Sequence, residues 1–228
     1  MKILIVAATW LEVKMLTDEF SFIEETTHFL KKYSFKNIEI DVLVTGIGVT
    51  FTTFHLTNTL ATKNFDLVVN AGIAGSFTKD LEIGEVVNVI ADEFGDLGIE
   101  KENEFLTLFE AGFVDAGEFP FENGILKPVG FNGFALLRKV RGITTNKSHG
   151  RLTSISEIKA RFPVQVESME GAAVFYVCNW FGVDCCQVRA ISNYVEPRDT
   201  ASWNIPLALQ KLSETVLTAI QKMAIVVN

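Results

Sequence analysis

Val166-Glu167-Ser168-Met169-Glu170-Gly171-Ala172-Ala173, followed after one helix and one strand by Arg189-Ala190-Ile191-Ser192-Asn193, is the part of this chain that decides its fold. A short apolar run ends in acids, a helix opens with Gly-Ala-Ala, and an apolar strand then ends in Ser-Asn. A buried carboxylate is costly and needs a partner. The carboxyl ends of strands in open α/β sheets are where ligands bind. The two segments together read as one ligand site built at the end of a sheet.

Working outward, apolar runs of strand length alternate with helical patterns, which predicts βαβ units and a mostly parallel sheet. Strands are expected at Lys2–Ala8, Ile38–Val44, Asp66–Ala71, Glu85–Ala91, Leu137–Thr144, Val164–Ser168 and Cys185–Ser192. Helices are expected at Leu11–Glu19, Thr50–Thr62, Ser154–Phe162, Gly171–Phe181 and from about Asn204 to Met223. The last carries Leu207, Leu209, Leu212, Val216, Leu217, Ile220 and Met223 in a stripe of helical period. Residues 93–134 differ: they are rich in Phe, Gly and acids, with no strong strand signal. Phe105, Phe109 and Phe113 fall four apart, which predicts one face of a short helix. The segment reads as a lid or dimer-interface insertion in a single domain spanning residues 1–228.

Composition bounds the function. The net charge of −8, with no Lys/Arg cluster, argues against a nucleic-acid partner. Met1–Ala8 is too short to span a membrane and has no cleavage-site pattern, so a cytoplasmic protein without membrane attachment is expected. Cys178, Cys185 and Cys186 are odd in number and lack metal-ligand spacing, and His28, His55 and His149 are scattered. Neither a metal nor a cofactor is expected.

Two glycine motifs compete for attention. Gly46-Ile47-Gly48 lacks the third glycine of a dinucleotide fingerprint, Phe51 standing there, and reads as a tight turn into a helix. Asn70-Ala71-Gly72-Ile73-Ala74-Gly75-Ser76 follows an apolar strand, and its small residues allow either a ligand or a crowded crossover to approach the backbone.

The segments at 7–13, 70–76, 166–173 and 189–193 resemble the purine nucleoside phosphorylase and nucleosidase superfamily. The resemblance implies a three-layer α/β fold with a central mixed, mostly parallel sheet flanked by helices. It implies cleavage of a purine N-glycosidic bond, which passes through an oxocarbenium-like sugar. Glu12 would then activate the nucleophile, although a helix-start acid interacting with the dipole is the plainer alternative. Glu170, with the Met169 backbone, would hold the ribose hydroxyls, a carboxylate being acceptor-only. Glu167 competes for that role, but strand alternation should turn it to another face. The backbone of Ile73, Ala74 and Gly75 would line the sugar pocket. Asn146, Ser148 and His149 would line the purine, and Trp203 and Arg198 would meet the 5′ substituent.

Asn193 discriminates most. Adenine-specific relatives place Asp at this point, whereas an amide donates to a 6-oxo group and accepts from a protonated N7. Asn193 therefore points to a 6-oxopurine nucleoside, and the resemblance implies a carboxylated aromatic tail as its 5′ substituent. Residues 7–13 and 70–76 contain no Arg to hold phosphate, so water is the expected nucleophile. The rival readings are an adenine-releasing methylthioadenosine/adenosylhomocysteine nucleosidase, a phosphorylase and a catalytically silent nucleoside binder. A homodimer or higher homo-oligomer is expected from the apolar content and the Phe-rich segment.

Overall fold

The computed structural model describes residues 1–102, 104–130, 133–197 and 202–226. Its elements run β1 (Lys2–Ala7), α1 (Trp10–Thr17), β2 (Ser21–Thr27), β3 (Leu30–Phe35), β4 (Ile38–Val44), α2 (Val49–Thr62), β5 (Leu67–Ser76) and β6 (Val86–Ala91). They continue with β7 (Gly98–Glu100), β8 (Phe105–Thr107), β9 (Arg138–Thr144), α3 (Leu152–Arg161), β10 (Val166–Ser168), α4 (Gly171–Phe181), β11 (Cys185–Tyr194) and α5 (Ile205–Val226).

Nine strands form one sheet in the order β10-β9-β6-β11-β5-β1-β4-β3-β2. It is mixed: β4, β1, β5 and β11 run parallel in succession, while β6 is antiparallel to β11 and the β2–β3–β4 edge is antiparallel. β10 pairs with β9 and also, antiparallel, with β5. The strands β5, β10, β9, β6 and β11 thereby close into a ring.

Alternation along the strands divides the core into two layers. Ile3, Ile5 and Ala7 of β1 join Val13 and Leu16 of α1 and Leu212, Val216 and Ile220 of α5 on one face. Leu4 and Val6 join Leu56 and Leu60 of α2 and Val174, Phe175 and Cys178 of α4 on the other. The result is the expected three-layer α/β fold.

Two expectations fail locally and one element goes unannounced. The 70–76 stretch is strand rather than loop, because β11 pairs with β5 as far as Tyr194 opposite Ser76. Residues 21–35 form a hairpin that no pattern announced, since every residue of β2 is exposed and none alternates. Phe105, Phe109 and Phe113 do not share a helix: Phe105 starts β8, paired with β7. Beyond it Thr107 and Glu110 exchange side-chain and backbone hydrogen bonds, a local turn that competes with helix. Phe109 instead packs edge-on to Phe121, which leans on Tyr176 of α4.

Candidate active site

The parallel strands β1, β5 and β11 end at one cleft of about 370 Å³, lined by Glu12, Ile73, Ala74, Gly75, Ser148, Glu167, Met169, Glu170, Asn193 and Trp203 among others. Glu12 arrives there through helix capping. Thr9 is the N-cap of α1 and Glu12 the third helical residue, and the two form a reciprocal capping box. The N–H groups of Ala8 and Thr9 donate to Glu12 Oε2 at 3.1 and 3.0 Å, and Thr9 Oγ1 adds a contact at 3.3 Å. Across the cleft wall the Ile73 N–H donates to Oε1 at 3.1 Å. Burial raises the Glu12 carboxyl above its ordinary range, the Glu170 charge adds to this, and Arg189 opposes it. A buried acid with a raised pKa and a carboxylate edge on the cleft has the properties of a general base.

Glu170 is the N-cap of α4. The Gly48 N–H donates to its Oε1 at 3.1 Å, and Arg189 Nη1 lies 3.6 Å from Oε2. Gly48 adopts φ of +102° and Gly46 φ of +88°, so this pair does make a tight turn, and the turn aims an amide at Glu170.

Arg189, fully buried, is the site residue that the sequence reading missed. Its Nε donates to Gln187 Oε1 at 2.9 Å and its Nη2 to Asn70 Oδ1 at 2.7 Å. A charged residue inside the apolar strand Cys185–Tyr194 was itself the available signal, because such a charge must be paired. Gly72 makes room for it: a Cβ there would lie 2.3 Å from Arg189 Nη1 and 2.8 Å from Glu12 Oε1. This glycine serves the guanidinium rather than a ligand.

Asn193 follows a register shift in β11 between Ile191 and Asn193, a bulge that re-aims the side chain. It accepts from Ser192 Oγ at 2.8 Å and donates to the Tyr194 carbonyl at 3.0 Å, leaving one lone pair and one amide hydrogen for another partner. Gly75 lets it sit there, since a Cβ would come within 3.2 Å of Asn193 Nδ2.

The remaining expectations divide. Ser148, Met169 and Trp203 line the cleft. Glu167 also lines it, contrary to the alternation argument, because β10 ends at Ser168 and Met169-Glu170 leaves the pleat. Its carboxylate is committed to His149, accepting the backbone N–H at 3.0 Å and a very short contact from Nδ1. His149 is therefore buried behind Glu167 rather than in the wall. Asn146 is exposed and bonds Asp96 through its N–H and side-chain amide. Arg198 lies outside the described residues.

Among the described residues no Lys or Arg lines the cleft, whereas three carboxylates do. Leu11, Ile47, Trp203, Ile205 and Leu209 add apolar side chains to the lining. The arrangement suits an electron-poor reacting centre flanked by hydroxyl donors, next to an apolar substituent.

Comparison with known proteins identifies the family. The family model described as the phosphorylase superfamily matches residues 2–225. The chain is 32% identical to a futalosine hydrolase of Streptomyces coelicolor over 68% of this chain and 65% of that one, slightly under two thirds of its length. It is 31% identical to a futalosine hydrolase of Acidothermus cellulolyticus over 75% of this chain and 71% of that one. The fold is similar to the native structure of a futalosine hydrolase of Helicobacter pylori, with TM-score 0.80, 22% identity and 97% of each chain covered.

Proposed function

The chain belongs to the phosphorylase superfamily, and within it we propose that this protein is a hydrolase cleaving the N-glycosidic bond of futalosine. The products are hypoxanthine and dehypoxanthine futalosine, a step of menaquinone biosynthesis. The sign of the cleft carries the hydrolytic reading. Glu12, Glu167 and Glu170 face it and, among the described residues, no Lys or Arg does, so an inorganic phosphate dianion meets only repulsion. Arg189 does not alter this, because it is buried outside the lining, its Nε and Nη2 donate to Gln187 and Asn70, and its Nη1 is ion-paired with Glu170.

In this mechanism Glu12 takes a proton from water as it attacks C1′. Glu170 accepts from the ribose hydroxyls, and its charge favours the cationic sugar. A proton from solvent reaches N7 as the C1′–N9 bond breaks with its electron pair going to the base, and Glu12 returns the water proton to solvent. The free lone pair of Asn193 accepts from N7–H and its free hydrogen donates to O6. Ile73, Ala74 and Gly75 close the sugar face, and Ser148 borders the purine. Trp203, with the apolar lining residues, receives the aromatic 5′ tail. The enzyme works in the cytoplasm as a homodimer. Exposed Leu11, Met15, Phe51 and Phe54 supply apolar surface that a twofold partner would cover.

The deciding experiment incubates the protein with futalosine, its 6-amino analogue, inosine and methylthioadenosine, with and without phosphate, and identifies the released base. Phosphate-independent release of hypoxanthine from futalosine is expected. Asn193→Asp should depress that reaction and favour the 6-amino compound, since two acceptors would then face each other at O6. Preference of the wild type for the 6-amino compound would transfer the assignment to an adenine-releasing nucleosidase.

A further inference from the structure

Behind the cleft runs a buried polar chain that the proposed mechanism does not use. Asp92, 1% exposed, does not line the cleft, yet its carboxylate is surrounded by donors. Thr144 Oγ1 and the Glu93 N–H donate to Oδ1, both at 2.9 Å, and Gln187 Nε2 donates to Oδ2 at 2.9 Å. Thr144 is held in that sense because its own oxygen accepts the Ala172 N–H at 2.8 Å. Gln187 is fixed as well. A guanidinium has no acceptor, so the amide must turn its oxygen to Arg189 Nε and its NH₂ to Asp92.

We infer that Asp92 and Gln187 are positioning residues for the ribose site, acting as a donor–acceptor relay that sets the plane of Arg189 and thereby the setting of Glu170. The inference rests on Glu170 as the ribose acid. Gly171 supports it independently. A Cβ at this first residue of α4 would lie 2.2 Å from Gln187 Oε1 and 2.3 Å from Asp92 Oδ2. The helix that begins right after Glu170 therefore opens with glycine where the relay passes. Burial pushes Asp92 up to about 6, with Gln187, Thr144 and Arg189 opposing it, so near neutral pH it is the carboxylate the relay requires.

Parity makes the idea testable. In Asp92→Asn the new NH₂ faces the Gln187 NH₂. Turning Gln187 relieves that contact only by pointing its NH₂ at the Arg189 Nε–H, so the conflict moves to the guanidinium. In Gln187→Glu two carboxylates face each other. Combining Asp92→Asn with Gln187→Glu restores every bond at unchanged charge: the amide introduced at position 92 donates, and the carboxylate introduced at position 187 accepts from both sides.

Each single variant should raise KM for the nucleoside about tenfold or more, the scale of one lost charged hydrogen bond, with a smaller change in kcat. The double variant should return to within a few-fold of the wild type. Gln187→Met, which breaks the relay without adding charge, should match the single variants. In parallel, the Arg189 Nε–H NMR resonance, assigned by its loss in Arg189→Lys, should shift in each single variant and return in the double one. That readout needs no substrate, so it decides the relay even if no nucleoside is cleaved. Wild-type KM in Asp92→Asn or Gln187→Met would overturn the proposal. So would a double variant no better than the singles, whether the defect is in KM or in folding.

Discussion

Two strand-to-helix junctions deliver the two cleft acids, and they do so by opposite means. At the β1–α1 junction Glu12 is held mainly by its own neighbours, Ala8 and Thr9, in a capping box, with one bond from Ile73. At the β10–α4 junction the partners of Glu170 come from elsewhere in the chain. They are Gly48, which is 122 residues away in sequence, and Arg189. The first acid is positioned by secondary structure and the second by the assembled core. The first should therefore tolerate distant disturbance, and the second should report it.

The largest effect tests the chemistry assigned to the local junction. Glu12→Gln keeps the shape of the side chain but cannot take a proton. It should lower kcat by roughly 10²–10⁴-fold with little change in KM, the range for lost general-base catalysis. Near-normal turnover would remove Glu12 from the mechanism. The pH behaviour carries two signs. The working form is the carboxylate, and burial raises its pKa, so wild-type kcat should fall on acidification at a pH above the ordinary 4.5. For stability the raised pKa acts the other way. The Glu12 contribution is fully present below its unfolded pKa and is lost as pH rises through the folded one. Denaturant melts from mildly acid to neutral pH should show a shallower decline in Glu12→Gln than in the wild type.

Next comes the acid placed by the core. Glu170→Ala removes the acceptor for the ribose hydroxyls and the counter-charge of the sugar. A hydrogen bond to a charged group is worth about 1.5–3 kcal/mol, so kcat/KM should fall by roughly 10–150-fold. It also leaves Arg189 with one counter-charge fewer, a cost that should appear as lower thermal stability. Equal sensitivity of a 2′,3′-dideoxy analogue and the parent nucleoside to the substitution would break the ribose assignment.

Gly48→Ala sharpens the contrast, because it acts on Glu170 from a distant part of the chain. Alanine at φ of +102° is strained by on the order of 1–3 kcal/mol, and relief of that strain moves the amide that Glu170 accepts from. KM should rise by about tenfold while the acid limb of kcat, which belongs to Glu12, stays in place. If instead kcat falls with KM unchanged, the two junctions are not independent.

The same contrast governs what was legible in the sequence. Glu12 could be placed because it follows an apolar strand at the opening of a helix, with resemblance to tip the balance. Glu170 could be placed only through resemblance, and its partners Gly48 and Arg189 were not found. No local pattern tells that a turn after β4 will meet a helix start after β10. The same holds for Gly72 and Gly171, whose missing side chains make room for Arg189, Gln187 and Asp92. The buried parallel strands were legible because they are predominantly apolar. The β2–β3 hairpin was not, being a solvated edge whose register is set by pairing alone. In the 93–134 segment a four-residue spacing of Phe suggested a helix, but side-chain-to-backbone bonding at Thr107 and Glu110 took the chain elsewhere.

The smallest expected effect is at Thr9, and it is the sharpest test of local positioning. Thr9→Ala removes the hydroxyl that caps α1 and contacts Glu12 Oε2 at 3.3 Å, yet leaves both backbone N–H donors to that oxygen and the Ile73 bond. Loss of an N-cap hydroxyl costs about 1 kcal/mol, which in a domain of this size lowers Tm by roughly 2–4 °C. Because the three backbone donors to Glu12 remain, kcat should drop by no more than a few-fold and KM should not move. A drop in kcat as large as that of Glu12→Gln would mean that the hydroxyl, rather than the backbone of the junction, sets the carboxylate. An unchanged Tm would mean that the capping box contributes nothing to α1, and the local anchoring of Glu12 would then rest on Ala8, the Thr9 backbone and Ile73 alone.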